Sequence, residues 1–185
     1  MSAGADGARS AAVPPVRLPD ASLPRRLGAL TYEALLLAAL ILVVGFLTVP
    51  LAGPPPGRWV GPAIPSTPGR VFSACLVFAA LGAYFAWSWS GGRRTLPMQT
   101  WGLRLERRDG ARIEARTALT RYVAAWIGPG SALAAYLALD PAGLGAHAVW
   151  LVALNFLWAW VDPDRQFLHD RIAGTRIVRA REQTQ

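Results

Sequence analysis

A chain of 185 residues holds one domain or one small bundle, and this one combines 53% hydrophobic residues with a formal net charge of +8. That pairing excludes an ordinary soluble domain of this size, because the apolar excess needs somewhere to go. It also argues against a nucleic-acid partner despite a pI near 11.1: such proteins gather their cations on a soluble fold, whereas here the 19 basic residues, all arginine, lie between apolar runs.

Residues 1–23 are rich in Ala, Pro, Gly and Ser and read as a disordered tail. From Leu27 to Val49 the chain is apolar except for Glu33, long enough at 1.5 Å per residue to cross a hydrocarbon core of roughly 30 Å. A cleaved signal peptide is the rival reading, disfavoured by the length of chain before the run and by the apolar runs after it. Pro50 to Gly69 carries seven prolines and reads as a loop. Val71 to Trp89 is a second span without a charge; its Cys75, the single cysteine, excludes an intrachain disulfide and is expected to pack.

Gly91 to Arg116 is polar and basic. Within it Leu103 to Glu114 alternates apolar and charged residues around Asp109–Gly110, which predicts a small β-hairpin, with the strand-like Thr175 to Ala180 able to join it. Thr117 to Leu139 is a third span, expected to kink or break at Gly128–Pro129–Gly130. A fourth follows a short turn and runs over residues 142–161. Counted from Gly145 it has about 17 residues, short for a crossing, so three crossings and one re-entrant segment form the alternative.

Asp162–Pro163 predicts a helix start and Gly174 a helix stop, giving a short interfacial helix with Phe167, Leu168 and Ile172 on its apolar side. Residues 179–185 read as a C-terminal tail. The fold class is therefore an all-α membrane protein: a four-transmembrane-helix bundle with a small cytoplasmic β-hairpin and a C-terminal interfacial helix, residues 24–178 forming the membrane domain.

Arginine placement orients it. The N-terminal tail, the central loop with the first turns of span three, and the C-terminal segment hold all the arginines except Arg58 and Arg70. By the positive-inside rule both termini are cytoplasmic. Trp87 and Trp89 close span two, and Trp158 and Trp160 close span four, where amphipathic rings favour the membrane interface. Anionic lipid head groups are the partner that such a basic face implies.

Three stretches, "RRLGALTYEALLL", "TLPMQTWGLRLERRDGARI" and "RQFLHDRIAGTRIV", stand in an order that resembles the RDD family of bacterial multi-pass membrane proteins, named for an arginine and two aspartates. The resemblance covers about Leu23 to Val178 and departs from the pattern at the first acid, where Glu33 stands in place of aspartate. It implies a bacterial inner-membrane protein. It also implies two functional readings: a structural or accessory membrane component, or a cation/proton exchanger, some members having been linked to that activity.

The motif charges are Arg25, Arg26, Glu33, His169, Asp170 and Arg171. Arg25 and Arg26 precede Glu33 by about two helical turns and share its face, so an acid costly at that depth has cations below it. Asp170 is expected to pair with Arg25 or Arg26, making one network that locks the C-terminal helix to span one. Exchange would use Glu33 and Asp170 to carry a proton or a monovalent cation, and the thinness of four spans makes a homo-oligomer its natural form. Gly130, Ala134 and Ala138 form a small-residue face for a neighbouring helix. Asn155 is expected to bond between helices, and His147 to lie at the outer interface. No enzyme is expected, and no cofactor or metal. Two histidines and one cysteine lack ligand spacing, and neither a nucleophile elbow nor a phosphate loop is present.

Overall fold

The computed structural model describes residues 18–48 and 66–180; most of the expected N-terminal tail and of the proline-rich loop lies outside them. The described chain is mostly helical. Helix α1 spans Leu23–Thr48, α2 Thr67–Trp89, α3 Leu96–Thr100, α4 Ala115–Ala125, α5 Ile127–Leu139, α6 Leu154–Val161 and α7 Leu168–Ala173. Short 3₁₀ helices at Asp140–Ala142 and Gly145–Ala153 join α5 to α6, and two strands, β1 at Leu103–Arg107 and β2 at Thr175–Arg179, complete the order.

Three helices are long and apolar enough to cross a membrane: Leu23–Leu47, Thr67–Trp89 and the combined α4–α5 segment Ala115–Ala142. Gly145–Val161 is a shorter apolar helix. Their outer surfaces are oily, with Phe46 81% and Trp150 76% exposed, which suits acyl chains rather than water. Cys75 belongs to this outward surface on α2, contrary to the packing expected of it. Gly130, Ala134 and Ala138 also face outward, and the small residues that pack within the chain are Gly128 and Ala132.

Helix α1 inverts the usual pattern. Among its described side chains the buried ones are Arg26, Ala29 and Glu33, at spacings of three and four residues. One narrow face, polar at both ends, is what it turns to the bundle.

The third span breaks two residues before Gly128–Pro129–Gly130, at Trp126 between α4 and α5. Pro129 has no N–H to offer the carbonyl four residues back, at Ala125. Asn155 on α6 supplies the missing donor, its Nδ2 lying 2.7 Å from that oxygen. The expected interhelical bond of Asn155 thus has a specific task, repairing the break. Gly128 sits where a side chain would collide with the Gly145–Ala153 helix: an added Cβ would lie 2.6 Å from the Val152 carbonyl oxygen.

The β-hairpin expected over Leu103 to Glu114 is not formed. The Asp109–Gly110 turn exists, Gly110 N–H donating to the Arg107 carbonyl at 2.9 Å, but the chain beyond it does not return along β1. Ile113 enters the core, 3% exposed, and its carbonyl accepts from Gly91 N–H at 3.0 Å. The antiparallel partner of β1 is β2, with Leu105 opposite Ile177 and Glu106 opposite Arg176. The last pair carries an ion pair at 2.6 Å. Pro19 and Ala21 extend the ribbon through main-chain bonds to Arg179 and Ile177. Arg179 is thus the last residue of β2, and Ala180 N–H donates to the Gly102 carbonyl at 2.8 Å; residues 181–185 lie outside the described chain.

The chain after span four also departs from expectation. Asp162 does not start a helix. Its Oδ2 accepts from the amides of Asp164 and Gln166, at 3.1 and 3.0 Å, folding a tight turn. The helix α7 begins only at Leu168 and stops at Gly174, whose φ of 65° is the left-handed C-terminal stop the sequence predicts.

The close approach at Gly128 yields a test. Gly128→Ala should lower stability in detergent by about 1–3 kcal/mol, through overpacking against main-chain atoms that cannot swing aside. Gly130→Ala, which meets nothing within 4 Å, should leave the melting temperature unchanged or slightly raised. Equal losses in paired thermal melts would disprove the α5 contact.

Candidate functional site

The motif charges meet the bundle at three connected places. The innermost is built by α4 and α7. Helix α4 carries Arg121, 4% exposed, and α7 carries His169 and Asp170, 4% and 0% exposed. Arg121 Nε donates to Asp170 Oδ1 at 2.7 Å, and Thr175 Oγ1 donates to the same oxygen at 3.0 Å. The guanidinium lies over the Trp89 ring at 4.1 Å, a cation–π stack in a dry setting. Trp89 thus closes α2 from inside the bundle. Trp87 is the exposed member of that pair, capped by Arg93 at 4.9 Å.

This placement overturns the expected pairing of Asp170 with Arg25 or Arg26. His169 and Asp170 point inward, while Ile172, on the apolar side of the helix, is half exposed. The physical cause is Arg121. A guanidinium inside the bundle needs a carboxylate there, and only one face of a six-residue helix can provide it.

Burial by itself would raise the Asp170 carboxyl, but the Arg121 guanidinium beside it, helped by the Thr175 hydroxyl, draws it below the ordinary carboxylate value. His169 is pushed down to about 4, chiefly by burial, so its ring is neutral at pH 7. Since Arg121 has only hydrogens to offer, Nε2, 3.2 Å from Arg121 Nη2, must accept, and the ring proton sits on Nδ1. That nitrogen and Asp170 Oδ2 are buried without a hydrogen-bond partner among the described residues.

The second place is Arg26, 3% exposed. Its Nε donates to the Ala21 carbonyl at 2.8 Å and its Nη1 to the Arg165 carbonyl at 2.7 Å, with Gln166 Oε1 at 3.3 Å. The turn folded by Asp162 presents the last two acceptors. Arg171 stays outside the buried network and braces that turn, pairing with Asp162 at 3.0 Å and Asp164 at 2.7 Å. Arg25 is half-buried and makes no hydrogen bond or ion pair among the described residues.

The third place is Glu33, whose partners are hydroxyls: Tyr84 on α2 donates at 2.8 Å and Thr95, the N-cap of α3, at 2.7 Å. Aromatic rings connect the places. Arg26 lies 5.7 Å from the Phe167 ring, and Phe167 lies 5.7 Å from the His169 ring.

A cavity of about 510 Å³ runs along α1 and is bordered by Arg26, Glu33, Arg121 and His169 among apolar walls that include Leu27, Leu30 and Phe156. Among the described residues no group of three or more His, Cys, Asp or Glu side chains is placed to hold a metal ion. His147, the other histidine, is exposed at the far end. The residues that sequence reasoning missed are Arg121, Trp89, Tyr84, Thr95 and Thr175. Arg121 carried a usable signal, since an arginine six residues inside an apolar span has the same need of a partner as Glu33.

Two tests follow. A double-mutant cycle on Asp170→Asn and Arg121→Gln should show strong coupling, each single change costing about 3–5 kcal/mol by leaving a buried charge alone; a cycle on Asp170→Asn and Arg26→Gln should be nearly additive. The opposite ranking in detergent melts would return Asp170 to Arg26. For His169, the unfolded chain binds a proton between pH 6.5 and about 4 while the folded chain does not. Stability is therefore complete above pH 6.5 and falls as the pH drops towards 4, by up to about 3 kcal/mol. Asp170 adds its own loss only below its ordinary 3.8. Melting temperatures of His169→Gln should be flatter than wild type from pH 7 to 4.5; parallel curves would mean that His169 is not the titrating group.

Comparison with known proteins places this arrangement. The RDD family model matches residues 21–174. No curated protein and no solved structure matches the chain.

Proposed function

The chain belongs to the RDD family, and on that premise we propose that it is a structural or accessory component of a bacterial inner membrane, not an enzyme, with four crossings and the arginine-rich side in the cytoplasm. The observation that carries the reading is how the motif charges are used. Each buried one is engaged by groups far along the chain: Arg26 by residues 139 and 140 positions away, Glu33 by residues 51 and 62 away, Asp170 by Arg121 49 away. They act as locks between elements, and residues 24–178 form the unit they close.

The 3₁₀ winding supports the fourth crossing. Nine residues of Gly145–Ala153 at about 2.0 Å and eight of Leu154–Val161 at about 1.5 Å reach roughly 30 Å, the thickness of the hydrocarbon core. A uniform α-helix of that length would fall short.

One feature favours the second reading, cation/proton exchange by a homo-oligomer. Glu33 is a buried acid with hydroxyl partners and no cation in contact among the described residues, on the border of the cavity. Such a carboxylate is a place for a proton or a monovalent cation.

Reconstituted protein tests both. In vesicles loaded with a pH-sensitive dye, challenge with Na⁺, K⁺ or Li⁺ should give no proton movement beyond that of empty vesicles. Movement that Glu33→Gln abolishes would establish exchange instead. In the same vesicles, in a background lacking Cys75, a cysteine at Ser66 and one at Asp109 should react with impermeant reagent from opposite sides. Labelling from the same side would overturn the span count.

A further inference from the structure

We propose that the cavity along α1 holds one anionic phospholipid of the cytoplasmic leaflet, its phosphate bound by Arg26 and Arg121 and its first chain carbons lying on the apolar wall. The proposal rests on the membrane placement given above and is distinct from the diffuse attraction of surface arginines to acidic lipid.

Arg26 is a buried charge without a direct ion-pair partner among the described residues. Its partners are two carbonyl oxygens and one amide oxygen. Among the described residues no carboxylate lies within ion-pair distance of it, whereas Arg121 has Asp170. The hydrogen-bond partners of Arg26 are neutral, and the nearest carboxylates, Asp20, Asp162 and Asp170, act on it only from beyond contact, so positive charge stays incompletely balanced in a place of low dielectric. An anion beside it would relieve that.

The donors for such an anion are present. Arg26 uses Nε and Nη1, and Arg121 uses Nε and Nη2. Arg26 Nη2 and Arg121 Nη1 have no hydrogen-bond partner among the described residues. Both side chains border the same cavity. Two guanidinium groups with a free terminal nitrogen each suit a phosphate, whose several acceptor oxygens accommodate forked donors from more than one side.

The walls choose the source of the phosphate. Leu27, Leu30, Leu37 and Phe156 line the cavity, and Leu27 is 41% exposed on the surface that would meet acyl chains. A soluble anion would gain nothing from these walls, but the glycerol and upper chain of a lipid would. Arg26 lies in the first turn of α1, at the level where head groups meet hydrocarbon. Glu33 stands about 10 Å further along the helix, with both oxygens taken by hydroxyls. It repels a phosphate from going deeper and so fixes it at the Arg26 level.

Native mass spectrometry of the full-length protein, purified in detergent and titrated with phosphatidylglycerol or phosphatidylcholine, tests this. One phosphatidylglycerol per chain should be retained, with roughly ten-fold preference over phosphatidylcholine. Arg26→Gln should weaken that retention about ten-fold. Ala34→Phe, which blocks the cavity from an exposed α1 position and removes no charge, should do the same without altering the melting temperature in lipid-free detergent, and it carries the test should Arg26→Gln not fold. Arg94→Gln, an exposed arginine outside the cavity, should change nothing. Equal loss in Arg94→Gln, or equal retention of phosphatidylcholine, would overturn the proposal in favour of surface attraction. Equal protection by glycerophosphoglycerol, the head group without chains, would overturn it in favour of a soluble-anion site. Failure of the chain to fractionate with membranes would instead bring down the membrane placement itself.

Discussion

Asp170 has no exposed surface, and a carboxylate in that position is tolerable only where a cation and further donors reach it. Arg121 and Thr175 meet that demand from opposite sides in sequence, one from α4 and one from the first residue of β2. Everything nearby is fixed by it. Helix α7, six residues long, is far too short to persist alone. It holds because its acid is pinned to α4, its N-terminal neighbour Phe167 is buried, and Gly174 turns the chain directly into β2. The strand then sets the register of the ribbon, placing Arg176 on Glu106 and offering its free edge to Pro19 and Ala21. Beneath the pair, Trp89 ties the end of α2 to the same point. Four elements from across the chain converge on one pair of atoms 2.7 Å apart.

The other two motif charges follow a different logic. Neither Arg26 nor Glu33 has an opposite charge in contact among the described residues, although they lie on one face of one helix. Two turns separate them, which is too far for either to neutralise the other directly. Each is solvated by neutral groups, carbonyl and amide oxygens for the cation and hydroxyls for the acid. This leaves α1 attached to the bundle through hydrogen bonds at its polar stripe and through little apolar packing. It also leaves a polarised cavity, positive near the helix start and negative further in.

Much of the architecture was legible from composition and periodicity. Hydropathy located three helices long enough to cross and a shorter apolar one after them, since the crossing length is set by the bilayer. Chain chemistry located the break near Pro129, the stop at Gly174 and the bond of Asn155. The lock between the C-terminal motif and the start of α1 was also readable, though through Arg165 and Gln166 and not through Asp170. What was not legible were choices between competing partners. The alternation around Asp109–Gly110 is as good a hairpin as it looks, but Ile113 gains more by entering the core, so β1 takes a strand from 70 residues downstream. Asp162–Pro163 is as good a helix start, but the Asp162 carboxylate takes amides in a turn and meets Arg171. The rule that orients membrane proteins counts Arg121 as one more cytoplasmic charge, because it counts arginines without asking which way they face. The ring of Trp89 gives no sequence sign that it turns inward to stack on a guanidinium.

The distance along the chain between Arg26 and its acceptors has a consequence for how the protein is made. Helix α1 leaves the ribosome early, with a cation in its first turn and an acid two turns in. The carbonyl that receives Arg26 is 139 residues downstream, so the first helix cannot complete its contacts until the chain through Gln166 has been made. Until then its polar stripe faces lipid or water, and a chain that stalls before Gln166 never covers it. Closure of the bundle on α1 thus waits for the segment that carries Arg165 and Gln166.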